Sequence, residues 1–211
     1  AAGIAKLESA TALLPKGMQR QPFAALSDDC IDPSDVQIHA KIGQGAFGSV
    51  FRASYQGSDA AVKIVDLGGL AMTVRQKVFG RFTGELRTMI KLRSERTVAF
   101  YGWYEKGDLL CLVMQYVPNG DVRDMLDKHT EEGKAFDAEH WKLVRRLAYE
   151  AAEGVRFLIK KGLFHRDLKT PNLLLDRDMK VKVADFGLAK AKDAHASSSG
   201  SSGAPKGSAP W

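Results

Sequence analysis

The sequence predicts an α+β chain: a small β-rich lobe carrying one helix, followed by a mainly helical lobe. Three observations predict it. Short apolar or alternating runs crowd the region before Pro118-Asn119-Gly120 and are separated by glycine or polar turns. One stretch there, Val74–Leu92, instead spaces Val78, Phe82, Leu86 and Met89 three or four residues apart, as a helix face does. Beyond Gly120 a long amphipathic stretch places Val144, Leu147, Ala151, Val155 and Leu158 on one face.

Taken in order, residues 1–30 are Ala-rich and weakly periodic and read as a tail, with 1–35 as the tail and linker together. Strands are expected at Val36–Lys41, Ser49–Ser54 and Ala60–Val65, then the Val74–Leu92 helix, then strands at Val98–Tyr104 and Leu109–Gln115 about a Gly107-Asp108 turn. Residues 36–117 make the first lobe and its exit, and 118–211 the second. There, Val122–Leu126 suggests a short helix. Asp137 suits the N-cap of a long one, which Lys160, Lys161 and Gly162 would end. Leu173–Leu175 and Lys180–Ala184 read as short strands about a polar turn, and the Ser/Gly/Pro-rich end as a linker.

Composition narrows the function classes. The chain has 211 residues, 45% apolar and 27% charged, with a net charge of +6. No apolar run reaches the roughly 18 residues of a membrane span. The basic residues are interleaved with acidic ones and match no nucleic-acid motif, so a surface that meets a polyphosphate is the plainer reading of the charge. Two cysteines far apart, Cys30 and Cys111, do not form a disulfide framework and suit a reducing, cytoplasmic setting. The start lacks both an initiator Met and a signal pattern, which suggests a fragment.

Four segments carry chemistry. Gly43-Gln44-Gly45-Ala46-Phe47-Gly48 can bring backbone close to a phosphate and take conformations other residues resist. The strand-like Val50–Ala53 after it favours a hairpin flap over a dinucleotide turn. Lys63 lies in the apolar run Ala61–Val65. Most lysines are solvated, but one pointing inward needs a partner. Glu85, on the inward stripe of the first helix, is the candidate. His165-Arg166-Asp167-Leu168-Lys169-Thr170-Pro171-Asn172 stands shortly before Asp185-Phe186-Gly187. Carboxylate and amide oxygens suit hard Mg²⁺, cations neutralise phosphate, and a carboxylate can orient an attacking hydroxyl.

In this order the segments resemble the protein kinase superfamily from about Val36 to Trp211. The resemblance implies a bilobal protein-kinase-like fold using ATP and Mg²⁺ (or Mn²⁺) on a protein substrate with Ser/Thr. Ile42, Gly43, Gly45, Gly48 and Val50 would cover the nucleotide, and Lys63, paired with Glu85, would contact its α- and β-phosphates. Ala61, Met114, Gln115, Val117 and Leu174 would surround the adenine. Asp167 would be the catalytic aspartate and Lys169 the cation for the γ-phosphate. Asn172 and Asp185 would hold the metal. Met89, Phe100, His165 and Phe186 resemble the stacked column of active kinases. Arg166 would bind a phosphate that an upstream kinase places on Ser197, Ser198, Ser199, Ser201, Ser202 or Ser208.

The wording HRDLKTPNLLL is similar to the Raf-like and mixed-lineage group, which mostly phosphorylates Ser/Thr. The Ala-Pro-Glu segment and later helices of the family are not in this sequence. The resemblance therefore implies an incomplete large lobe, poor stability or association of the isolated chain, and a chain that can be inactive by itself. A pseudokinase or scaffold is the alternative, against which Lys63, Asp167, Asn172 and Asp185 all stand intact.

Overall fold

The computed structural model describes residues 28–45, 48–131 and 137–191. The chain divides into two compact units. One runs to Lys91 and resumes over Ala99–Tyr116; the other takes Leu92–Val98 and the chain from Val117 onward.

The first unit is a five-stranded antiparallel sheet with one helix. Strands β1 (Val36–Gly45), β2 (Gly48–Tyr55), β3 (Ser58–Asp66), β4 (Phe100–Lys106) and β5 (Leu109–Gln115) lie in the order β1-β2-β3-β5-β4. Helix α1 (Met72–Ile90) falls between β3 and β4. Gln56 and Gly57, both at positive φ, close the β2–β3 hairpin in the form that matches strand twist. Strand alternation divides the apolar residues between the faces. Ala53, Ala60, Val62, Tyr104, Cys111 and Val113 form one buried cluster. Phe82, Leu86 and Met89 of α1 are buried, as the sequence spacing required, whereas Val78 is half-buried and Phe79 beside it is buried instead.

Residues 28–35 were expected to be linker. They instead belong to this unit. Cys30 forms a parallel bridge with Trp103, Ile31 N–H donates to the Trp103 carbonyl at 2.9 Å, and Ile31 packs on the apolar cluster. Weak local periodicity hid this contact, because one apolar residue suffices to anchor a short extended segment.

The second unit contains α2 (Val122–Glu131), α3 (Ala138–Lys160), β6 (Leu163–Phe164), β7 (Leu173–Leu175), β8 (Val181–Val183) and β9 (Lys190–Ala191). Asp137 caps α3 by accepting from His140 N–H at 2.9 Å. Gly162, at φ +70, follows the helix end. Leu147, Ala151 and Leu158 bury the inner stripe of α3, and Leu147 and Ala151 pack with Val122, Leu175 and Val181. Gly154 is required by close packing: a Cβ there would stand 2.6 Å from Val183 Cγ2. The short strands form two antiparallel pairs, the β7–β8 hairpin and β6 with β9. Among the described residues no helix is long and apolar enough to cross a membrane.

Candidate active site

In the first unit, β3 and α1 bring Lys63 and Glu85 together. Lys63 Nζ lies 2.7 Å from Glu85 Oε2 and 2.8 Å from Oε1, with the side chains 13% and 7% exposed. The cost of burying each charge explains the pairing, since each ion offsets the desolvation of the other. Lys63 faces Val50 on β2 and Leu112 on β5 in the strand register, and Ala61 faces Met114.

The glycine segment spans the β1–β2 hairpin. Gly43 is paired with Val50 and Gly45 with Gly48, while Ala46 and Phe47 lie outside the described residues. The expected unusual backbone conformations are not found, because none of Gly43, Gly45 and Gly48 has positive φ. Gly48 has a packing reason, since a Cβ there would collide with the Ile64 carbonyl. Gly43 and Gly45 have no such reason: a Cβ would meet its nearest neighbour at 3.8 and 3.6 Å, ordinary contact. Ile42 is 47% exposed, and Val50, Met114 and Gln115 are half-buried. Of the expected column residues, Met89 is buried and Phe100 half-buried in this unit.

In the second unit, a tight loop between β6 and β7 gathers the next set. Asp167 is 9% exposed. Its Oδ2 lies 2.9 Å from Lys169 Nζ and accepts from Asn172 Nδ2 at 3.2 Å, while the same amide donates to the Asp167 carbonyl at 2.8 Å. A short 3-10 turn, Thr170–Asn172, bends the chain so that these residues meet. The Asn172 backbone carbonyl accepts from Ala184 N–H at 2.9 Å, which ties this loop to the residue before Asp185.

His165 makes the second tie. Its Nε2 lies 2.9 Å from the Ala184 carbonyl, and its Nδ1 accepts from Asp167 N–H at 3.3 Å. With Nδ1 accepting, Nε2 must carry the proton, so the imidazole is neutral in this arrangement. Its ring stands 5.4 Å from that of Phe186, which is 1% exposed.

Two non-glycine residues of the site hold left-handed backbone: Arg166 at φ +67 and Asp185 at φ +58. Such conformations cost energy and persist where the surroundings impose them, a pattern concentrated at functional sites. Arg166 is half-buried, and among the described residues its guanidinium has no hydrogen-bond or ion-pair partner. Ser197, Ser198, Ser199, Ser201, Ser202 and Ser208 lie outside the described residues. Val117 is buried and Leu174 half-buried in this unit.

No group of three or more His, Cys, Asp or Glu side chains gathers as a metal cage among the described residues. A Mg²⁺ site needs less from protein, because the ion keeps waters and shares substrate phosphates. The donors fit that case. The Asn172 amide nitrogen is committed to Asp167, which leaves Oδ1 for a cation, and Asp185 presents an exposed carboxylate.

Sequence reasoning missed the support beneath this loop. Glu150, 6% exposed on α3, accepts Val181 N–H at 2.8 Å and lies 3.3 Å from Arg96, which also pairs with Glu153 at 2.9 Å. Val183 N–H donates to the Arg96 carbonyl at 2.8 Å. These contacts fix β8, the strand leading into Asp185. The available signal was Glu150 at an inward position of α3, one residue before Ala151 of the apolar stripe.

Comparison with known proteins places the chain in a family. A model of the family "Protein tyrosine and serine/threonine kinase" matches residues 36–211. A probable serine/threonine-protein kinase of Dictyostelium discoideum is 33% identical over 93% of this chain and 20% of that protein. The Arabidopsis thaliana serine/threonine-protein kinase CTR1 is 34% identical over 83% of this chain and 21% of its own length. STY17 of the same plant is 32% identical over 77% and 27%. The chain thus spans roughly a quarter or less of these curated relatives. With the family match covering most of its length, the chain belongs to the protein tyrosine and serine/threonine kinase family.

Proposed function

We propose that the chain carries the catalytic machinery of a protein serine/threonine kinase, which moves the γ-phosphoryl group of ATP to Ser/Thr hydroxyls of a protein substrate. The observation that carries this reading is the Asp167 carboxylate, held nearly buried between Lys169 Nζ at 2.9 Å and Asn172 Nδ2 at 3.2 Å. A fixed, ionised acceptor beside a cation suits orienting a hydroxyl against a phosphoryl group.

The other residues follow from their chemistry. Lys63, aligned by Glu85, binds the α- and β-phosphates. Lys169 offsets negative charge on the transferring group. Gly43 and Gly45 leave room for phosphate oxygens beside the backbone. Ile42, Val50, Ala61, Met114, Val117 and Leu174 supply apolar surface for the adenine, and the Gln115–Val117 backbone supplies its hydrogen bonds. Asn172 Oδ1 and the Asp185 carboxylate hold Mg²⁺ or Mn²⁺, which supplies charge neutralisation to the phosphates when bound. The acceptor oxygen forms its bond to phosphorus as the bond to the β-phosphate oxygen breaks. Asp167 takes up the hydroxyl proton, and ADP leaves. Arg166, half-buried without a partner among the described residues, suits a phosphate placed by an upstream kinase on the serine-rich segment.

The test is phosphoryl transfer from labelled ATP to a general protein acceptor by the full chain and by its Asp167→Asn variant. We expect a loss of at least about a hundredfold, the scale of losing one electrostatic catalytic group, with label on serine and threonine. Equal turnover by the variant, or label on tyrosine alone, rejects the proposal.

A further inference from the structure

The segment before β1 touches β4, a strand whose Trp103 side chain reaches the helix that carries Glu85. Ile31 N–H donates to the Trp103 carbonyl at 2.9 Å, and Cys30 bridges the same residue. The strand below is shaped to receive this segment. Gly102 lacks positive φ, so its backbone would accept any residue, yet a Cβ there would collide with Ile31 Cγ2 and lie 2.9 Å from the Asp29 carbonyl. The glycine is therefore explained by the docked segment and not by the strand. Ile31 also packs against the cluster of Ala53, Ala60, Val62, Tyr104, Cys111 and Val113.

The segment is anchored at its other end as well. Asp32 accepts from Ser34 N–H at 2.9 Å and Ser34 Oγ at 2.8 Å, which sets the Pro33–Asp35 turn, and the Asp35 carbonyl accepts from Gln56 N–H at 3.2 Å. It thus leaves β4, at one edge of the sheet, and enters β1 at the other. Trp103 then links it to α1. The Trp103 ring, 2% exposed, meets Phe82 edge-on with centroids 6.5 Å apart. Phe82 precedes Glu85 by three residues, so both occupy the same face of the helix.

We propose that residues 29–31 form a strap whose docking on β4 positions Glu85 for Lys63, acting through Trp103 and Phe82. Ile31, Gly102 and Trp103 are positioning residues in this device and touch no reacting group. The strap lies at the head of the domain, so anything that pulls on the chain before Asp28 would act on the Lys63–Glu85 pair. The inference rests on the reading of that pair as part of the phosphate-binding machinery, and its test is independent of turnover.

The experiment compares amide hydrogen exchange in the full chain with the Gly102→Ala, Ile31→Ala and Ile31→Val variants. Exchange across residues 82–86 is the readout, with β3, β5 and α3 as internal references. We expect exchange at 82–86 to rise at least about tenfold in Gly102→Ala and Ile31→Ala, on the scale of a local opening set free. The references should hold, and Ile31→Val should behave as the natural chain. Unchanged exchange at 82–86 in Ile31→Ala overturns the proposal, as does an equal rise in β3 and β5, which would mean general loosening of the sheet. A parallel transfer assay should show turnover falling with the rise in exchange. Label on tyrosine alone defeats the kinase reading, while the exchange result still decides the strap.

Discussion

Replacing Lys63 by Met leaves the Glu85 carboxylate in place with its main cation removed. At 2.7 Å the pair's attraction is about 6 kcal/mol at an effective dielectric of 20, before the desolvation of either group is subtracted. Because both side chains are largely buried, at 13% and 7% exposure, that desolvation offsets most of the gain in the intact pair. The offset disappears in the single variant, where one buried charge keeps its cost and loses its compensation. Lys63→Met should therefore destabilise the first unit by about 3 kcal/mol. Adding Glu85→Leu removes the stranded charge and supplies apolar volume facing Lys63's former position, so the double variant should recover most of the loss. The assay is urea unfolding of the full chain, with amide exchange in β3 and β5 assigning the loss to the first unit. A double variant no more stable than Lys63→Met would refute the reasoning, since the penalty would then arise from packing and not from charge. The same pair of variants separates stability from function: the double variant should be folded yet lack the ammonium proposed to bind phosphate.

Further outcomes follow from burial and close approach. The Glu105 carboxyl is pushed up from an ordinary 4.5 to about 7, chiefly by burial, with Asp108 adding to the rise and Arg75 opposing it. The folded state thus holds this proton more tightly than the unfolded chain. The stabilisation is present below about pH 4.5 and is lost as pH rises towards 7. Half-burial reduces the effect to about 1–2 kcal/mol after solvent screening. Glu105→Gln should remove this component, measured as the difference in urea midpoints at pH 5 and pH 8 between the two proteins. In α1, a Cβ at Gly80 would meet nothing within 4 Å, so Gly80→Ala should stabilise by up to about 1 kcal/mol through helix propensity. Gly154→Ala makes the same propensity gain in α3 but drives a methyl against Val183 and the Arg96 carbonyl, and should cost about 1–3 kcal/mol. Thermal melts of the two variants should move in opposite directions.

The helices and the longer strands were legible because their signals are local. The stripe of Val78, Phe82, Leu86 and Met89 placed α1 within two residues of its observed limits, and Leu109–Gln115 and Leu173–Leu175 occupy the predicted positions. Lys63 and Glu85 could be matched across the sequence because an inward charge demands an opposite one. The strand at Phe100–Lys106 was expected to start at Val98, but Val98 N–H donates to the Val183 carbonyl, so this residue joins the second unit. Nothing local distinguishes the two uses of an apolar residue. The short helix after Gly120 runs past its expected end at Leu126 to Glu131, through polar residues whose period carries no apolar mark.

By itself the sequence determined the order in which the distinctive residue types come: glycines, a lysine in a strand, and two separated acidic loops. It also determined the two buried helix faces, since periodicity is written along the chain. Tertiary structure decided what no local pattern encodes. It set the neutral His165 tautomer through Ala184, the seat of Glu150 between Arg96 and Val181, and the use of Gly102 as a slot for Ile31. Each of these depends on residues distant in sequence approaching within hydrogen-bonding or contact distance. Side-chain identity permits such meetings, but only the packed backbone brings them about.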